Sequence, residues 1–362
     1  MSIAAMPIGG NNLNRYLIPT PVPSIVGPAI FAPASFIPHD GFWSREMDRI
    51  IIISESNAAV YNYDGVRNVI TLHQTAGLVG GRNGDLNGAG DRIAAVRANN
   101  LTVLAYDRVT GLLSADITLT DAVHFSHVQD CAWDPTGEFI AVANDDSSAP
   151  NRLVTIVRYV RSPASLTVVA SFGDITGGNR RGVAWGANDV ITAGGVQLGF
   201  WGFRFDRVTN VLTRFANIGG MLEHNSVEAS PTGEWIAGFD HTGGTNPDVH
   251  IFRFTPSPDT LTHQNTITLP IGMFGSISPV NGKIQWDSNS RNILLNTGLG
   301  ATALGILRMD PVGLGAVLHG SIPTTATLFK AMVNNIHQVI AVLRNSSTAP
   351  IEIRPWASNI NI

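Results

Sequence analysis

At 362 residues the chain could hold two average domains or one large all-β ring. Only 14% of its residues are charged, against roughly 25% in an average soluble protein, and its formal net charge is −4. That balance excludes a general nucleic-acid binder, which needs a basic stripe for phosphate contacts, and the single Cys131 excludes a disulfide framework and a Cys-based zinc site.

In chain order, residues 1–20 read as an N-terminal arm with no blade to bury Ile3, Met6, Ile8 and Leu13. No basic leader followed by an apolar stretch is visible there, and no apolar run approaches the ~20 residues of a membrane span. The expectation is a chain made in the cytoplasm. The Pro-rich IPTPVPS should be extended, and SIVGPAIF (Ser24–Phe31) is the best candidate for a strand that completes a sheet elsewhere.

From Asp40 onward one short apolar strand recurs, each time after a turn. Its first isoleucines are Ile50, Ile93, Ile140, Ile191, Ile236, Ile293 and Ile340, at intervals of 43, 47, 51, 45, 57 and 47 residues. Seven copies at that period predict an all-β seven-bladed β-propeller of four-stranded antiparallel sheets. The blade cores fall at about 40–75, 83–120, 128–173, 181–218, 225–270, 282–322 and 330–356, within a single unit spanning 21–362. Each copy has a first strand ending in turn chemistry (CAWDPTGEF, VEASPTGEW, IQWDSNSRN), then the Ile strand, which is apolar at consecutive positions as required where both faces pack on neighbouring blades. A third strand with Arg before an aromatic or Met follows (Arg158, Arg204, Arg253, Arg308, and Arg354 in a similar place), expected to pair with acids of the adjacent blade. A tight turn such as DRVTG at Asp107–Gly111 or DRVTN at Asp206–Asn210 then leads to the fourth strand. The seventh copy ends without a fourth strand, so the N-terminal segment is expected to supply it and close the ring.

The units CAWDPTGEFIAVANDD and VEASPTGEWIAGFDHTGG resemble the repeats of WD-type and lactonase-type propellers, and DRVTGLLS resembles the lactonase-type blade in particular. The resemblance spans about residues 40–356 and implies the fold. It does not imply an activity, because propellers host unrelated functions.

A propeller site would lie at a mouth of the central channel. The polar residues expected there are His127, Asp130, Asp145, Arg181, Glu223, His224 and Asp240, together with His39, Asp40, Asn225, Asp146 and His241. His39, His127 and His224 precede their blade's Ile by 11, 13 and 12 residues and so occupy related positions. One reading is a metal or general-base cluster drawn from several blades; the other is that such His side chains hydrogen-bond within their own blade. GDLNGAGD and KAMVNNIH offer no ligand before their turns, and the scarcity of lysine, only Lys283 and Lys330 against 21 arginines, reads as compositional bias. No Walker loop, nucleophile elbow or HExxH occurs, so no catalytic residue, metal or cofactor is assigned.

The sparse charge, the arm and the missing signature lead to a main expectation of a non-enzymatic structural or interaction propeller, for instance a bacteriophage tail component. It would contact several protein subunits, other copies of the chain included. The alternatives are a lactonase-like metal-dependent hydrolase and a carbohydrate- or receptor-binding propeller using exposed aromatics such as Trp201 or Phe274.

Overall fold

The computed structural model describes residues 30–32 and 37–355, apart from 78–80, 126, 145–152, 174–179, 196–198, 220–223, 241–247, 270–282, 288, 297–302, 311–314, 324–327, 335, 337–338, 345 and 347–348. The N-terminal arm and the candidates Ile3, Met6, Ile8 and Leu13 lie outside the described residues.

Twenty-eight strands form seven four-stranded antiparallel sheets, as the seven-fold repeat requires. The innermost strands are Asp40–Trp43, Asn83–Leu86, Val128–Trp133, Arg180–Trp185, His224–Ala229, Lys283–Trp286 and Leu328–Asn334. Each contacts the next, and the last contacts the first, so the seven inner strands encircle an axis. The seven isoleucines of the repeat occupy the second strands at equivalent positions, each facing the last or penultimate residue of its inner strand, and all are 0–1% exposed.

The core is not one mass but seven slabs, one at each blade–blade interface. Trp43, Ile50, Ile52 and Tyr61 of the first blade meet Met332, Val339, Ala341 and Ile353 of the seventh, while Ile51, Ile53 and Val60 on the opposite face of that first sheet meet Ile93, Ala95 and Leu104 of the second. Successive residues of a strand point to opposite faces. A blade with a neighbour on each side must therefore be apolar at consecutive positions, which is the pattern RIIII, FIAVAN and VIAVLR display.

The turns repeat as well. The residue following the inner strand, or ending it in blade 7, is Ser44, Asn87, Asp134, Gly186, Ser230, Asp287 or Asn334. In five blades its side-chain oxygen accepts backbone N–H groups four or five residues on: Asp134 Oδ1 accepts from Glu138 and Phe139 at 2.7 and 2.8 Å, and Asp287 Oδ1 from Arg291 and Asn292. Blade 4 has glycine there, with a short 3₁₀ turn at Ala187–Asp189. In the DRVT turns, Asp107 and Asp206 each accept from the two N–H groups two and three residues later.

The third-strand arginines divide. Arg204 reaches Asp259 of the next blade, as expected, but Arg158 and Arg253 pair with Glu138 and Glu234 of their own blades at 2.7 Å. The hairpin turns before the second strands carry these glutamates close enough that the adjacent blade is not needed. In the seventh sheet a three-residue strand, Ile30–Ala32, runs antiparallel to Ile351–Ile353. Its first two residues, Ile30 and Phe31, belong to the SIVGPAIF segment, whose residues 24–29 lie outside the described residues. No helix among the described residues is long and apolar enough to cross a membrane.

Candidate functional site

Counting back from the residue of each inner strand that faces the repeat Ile brings seven positions into register. The position three residues earlier is Asp40, Asn83, Asp130, Gly182, Ser226, Lys283 and Lys330; one residue earlier it is Phe42, Asp85, Ala132, Ala184, Glu228, Gln285 and Met332. Alternation puts both sets on one face of their strands, the face toward the next blade. The set holds four carboxyl groups and both lysines of the chain, drawn from six blades.

Three of the carboxyl groups accept hydrogen bonds from the next blade's backbone. Asp40 Oδ2 accepts from Gly84 N at 3.1 Å, Asp85 Oδ2 from Trp133 N at 2.7 Å and Asp130 Oδ2 from Val183 N at 3.2 Å. Ser226 Oγ does the same for Ile284 N at 3.3 Å. Where blade 4 meets blade 5, glycine is required by space: a Cβ on Gly182 would lie 2.8 Å from Val227 N. The seam between the last and first blades carries an ion pair, Lys330 Nζ to Asp40 Oδ1 at 2.7 Å, and Lys283 Nζ lies 3.9 Å from Asp130 Oδ1.

These groups feel one another across the axis. Burial opposes ionisation of Asp40, but Lys330 and Lys283 outweigh it and hold its carboxyl below the usual range. Asp130 goes the other way, raised by burial against the pull of Lys283. Burial pushes Asp85 up to about 7 and Glu228 up to about 8, in each case opposed by Lys330 and reinforced by the neighbouring carboxylates. Lys330 in turn is disfavoured by burial but held above its ordinary value by Asp40, Glu228 and Asp85. Asp85 and Glu228 remain partly accessible while Asp40 is 2% exposed. The ring thus presents two accessible carboxyl groups that titrate near neutrality beside two ammonium groups.

Only part of this ring was expected from the sequence. Of the residues expected at a channel mouth, Asp40 and Asp130 lie on inner strands within this ring. His127 is exposed, in a positive-φ conformation (82°), and lines a cleft of about 250 Å³ with Glu55, Arg82, Arg97 and Gln129. Asp240 is buried at the end of its strand with His250 Nε2 of the same blade 3.6 Å away. Arg181 and His224 lie in inner strands but their side chains are outside the described residues, as are Asp145 and Glu223 entirely. Among the described residues no three His, Cys, Asp or Glu side chains gather as a metal site. Asp85 and Lys330 come from GDLNGAGD and KAMVNNIH, the two segments expected to offer no ligand, because the groups lie along the strands and not in the loops before them. Trp201 is 1% exposed, packed on Phe172 and Phe203, which removes it as a sugar platform; Phe274 lies outside the described residues. Cys131 is buried, with its thiol pushed well up by burial.

No family model and no curated protein matches the sequence. Solved structures do. A candidate 6-phosphogluconolactonase of Bacteroides uniformis superposes with a TM-score of 0.65 at 15% identity, covering 80% of this chain and 85% of that one. The periplasmic gluconolactonase of Pseudomonas aeruginosa gives 0.64 at 12%, covering 88% of both. The Swd1 propeller domain of Myceliophteria thermophila gives 0.64 at 12%, covering 92% and 99%. These neighbours, lactonase propellers among them, do not bear out the expectation of a non-enzymatic assembly component. At such identities the likeness is one of architecture: the chain is a seven-bladed β-propeller, related in fold to lactonase-type and WD-type rings.

Proposed function

We propose that the chain is a lactonase-like hydrolase that opens small polar lactones, of the gluconolactone class, at the axial ring of carboxyl groups and lysines. The observation that carries this reading is the pair Asp85 and Glu228, whose carboxyl groups titrate at about 7 and about 8 on equivalent inner-strand positions. A carboxyl near neutrality suits proton transfer at physiological pH.

The chemistry follows from those values. At pH 7 Glu228 is mostly protonated and Asp85 is close to half ionised. Ionised Asp85 takes a proton from water as the oxygen attacks the ester carbonyl. The ammonium of Lys283 or Lys330 stabilises the oxyanion that develops. Glu228 gives its proton to the ring oxygen as the C–O bond breaks, and the product is the open hydroxy acid. The acid that product carries would be repelled by the carboxylates left behind, which favours its release.

Lactone opening releases one acid equivalent, so a pH-indicator assay on glucono-δ-lactone and its 6-phosphate reads the activity directly. Glu228→Gln and Asp85→Asn should each lower kcat/KM by about a hundredfold or more, the usual contribution of one acid–base group. Wild-type protein that opens neither lactone faster than water does would sink the proposal.

A further inference from the structure

The outer half of blade 5 holds a second constellation, far along its sheet from the inner strand. Its third strand, Asp248–Thr255, pairs with its fourth, Thr260–Thr268. His250 stands opposite Thr266 in this ladder, and a bulge follows, so that Phe252 stands opposite His263. In an unbulged register Gln264 would stand opposite Phe252, and His263 would face Arg253 and point to the other side of the sheet. The bulge turns it to the face His250 shares with Phe252.

The result is a triangle of donor atoms. His250 Nδ1 and His263 Nε2 are 3.4 Å apart, and Thr266 Oγ1 lies 3.0 Å from the first and 3.1 Å from the second. Two imidazole nitrogens bound to one tetrahedral zinc at about 2.0–2.1 Å stand about 3.3–3.4 Å apart. The two rings already meet that spacing. Behind His250, Asp240 Oδ2 is 3.6 Å from Nε2, just beyond hydrogen-bond distance but on the side from which a carboxylate orients a metal-bound imidazole. His250 and Asp240 are buried while His263 and Thr266 are exposed, which gives an anchored ligand on one side and an open path on the other.

From this geometry we infer that His250 and His263, with the Thr266 hydroxyl and solvent, form a surface site for an imidazole-preferring divalent ion of the zinc class. Asp240 is its positioning residue. The site is independent of the axial ring and of lactone chemistry.

The test is equilibrium dialysis of the full chain against zinc chloride at pH 7.5, paired with copper(II) electron spin resonance. Wild type should bind one more equivalent of zinc than His263→Ala, and the copper spectrum should lose its two-nitrogen signature in that variant. His263 is exposed, so the variant should melt as wild type does, which separates loss of a ligand from loss of fold. His263→Cys should restore binding, and Asp240→Asn should weaken it by about tenfold or more. Equal zinc uptake by wild type and His263→Ala, or no uptake by either at millimolar zinc, would show that the three side chains merely hydrogen-bond to one another.

Discussion

Replacing Glu228 by Gln keeps the side chain's shape and removes its charge, and the consequence for stability depends on pH in a calculable way. The folded protein raises this carboxyl from an ordinary 4.5 to about 8, first through burial and then through Asp85 and Asp130. Between those two values the folded state retains a proton that the unfolded chain has released. By linkage the stabilisation is therefore full below about pH 4.5 and is lost as the pH climbs through 8. At about 1.4 kcal/mol per pH unit, the interval from 4.5 to about 8 amounts to about 5 kcal/mol, comparable with the lower end of whole-domain stabilities. The amide of the Glu228→Gln variant cannot ionise and escapes this loss. Guanidinium unfolding at pH 5 should give nearly equal midpoints for the two proteins, while at pH 9 the variant should be the more stable by several kcal/mol. A difference that is the same at both pH values would refute the reasoning, since it would mean that Glu228 does not hold its proton in the fold.

Other perturbations probe the ring and its seams. Lys330→Met strands the buried Asp40 charge and should cost about 3–5 kcal/mol, whereas Asp40→Asn with Lys330→Met should recover most of that loss; a double-mutant cycle with no coupling would contradict the pairing. Phe252, fully buried and stacked on Phe200 with ring centroids 4.3 Å apart, should cost about 3–5 kcal/mol when cut to Ala, as read from the unfolding midpoint. Removing residues 1–36 takes away the strand that pairs with Ile351–Ile353; we expect a lower melting midpoint and aggregation through the exposed edge, and a truncated chain that melts unchanged would mean that the N-terminus does not close the ring.

The architecture was legible because it is written in a strong, repeated signal. Ile50 to Ile340 recur at the blade period, and a sheet flanked on both faces has no choice but to be apolar at consecutive positions. The turn aspartates were equally readable, since Asp107 and Asp206 satisfy backbone donors that any tight turn leaves open. Pairing partners were less so: Arg158 and Arg204 sit in equivalent places, yet one finds Glu138 in its own blade and the other Asp259 in the next. Which acid wins depends on turn geometry that a one-dimensional pattern does not hold.

The axial ring escaped notice for a different reason. Active-site reasoning looks to loops, because loops vary and strands are constrained. In a propeller that rule is only half true. Alternate residues of an inner strand, such as Trp43, Trp133, Trp185 and Trp286, are committed to the slab behind them. The residues between them face the next blade near the axis, where a side chain need only meet a backbone N–H and leave room for its neighbours. Asp40, Asp130 and Ser226 accept that N–H, Gly182 leaves the room, and the two lysines lie beside Asp40 and Asp130, so this position holds charge within an otherwise apolar strand. Once the seven isoleucines are aligned, Asp40, Asn83, Asp130, Ser226, Lys283 and Lys330 fall ten residues before them, and Asp85 and Glu228 eight before. The same register that builds the blades therefore points to the groups best placed for chemistry, provided the residues between the core positions are read as carefully as the core itself.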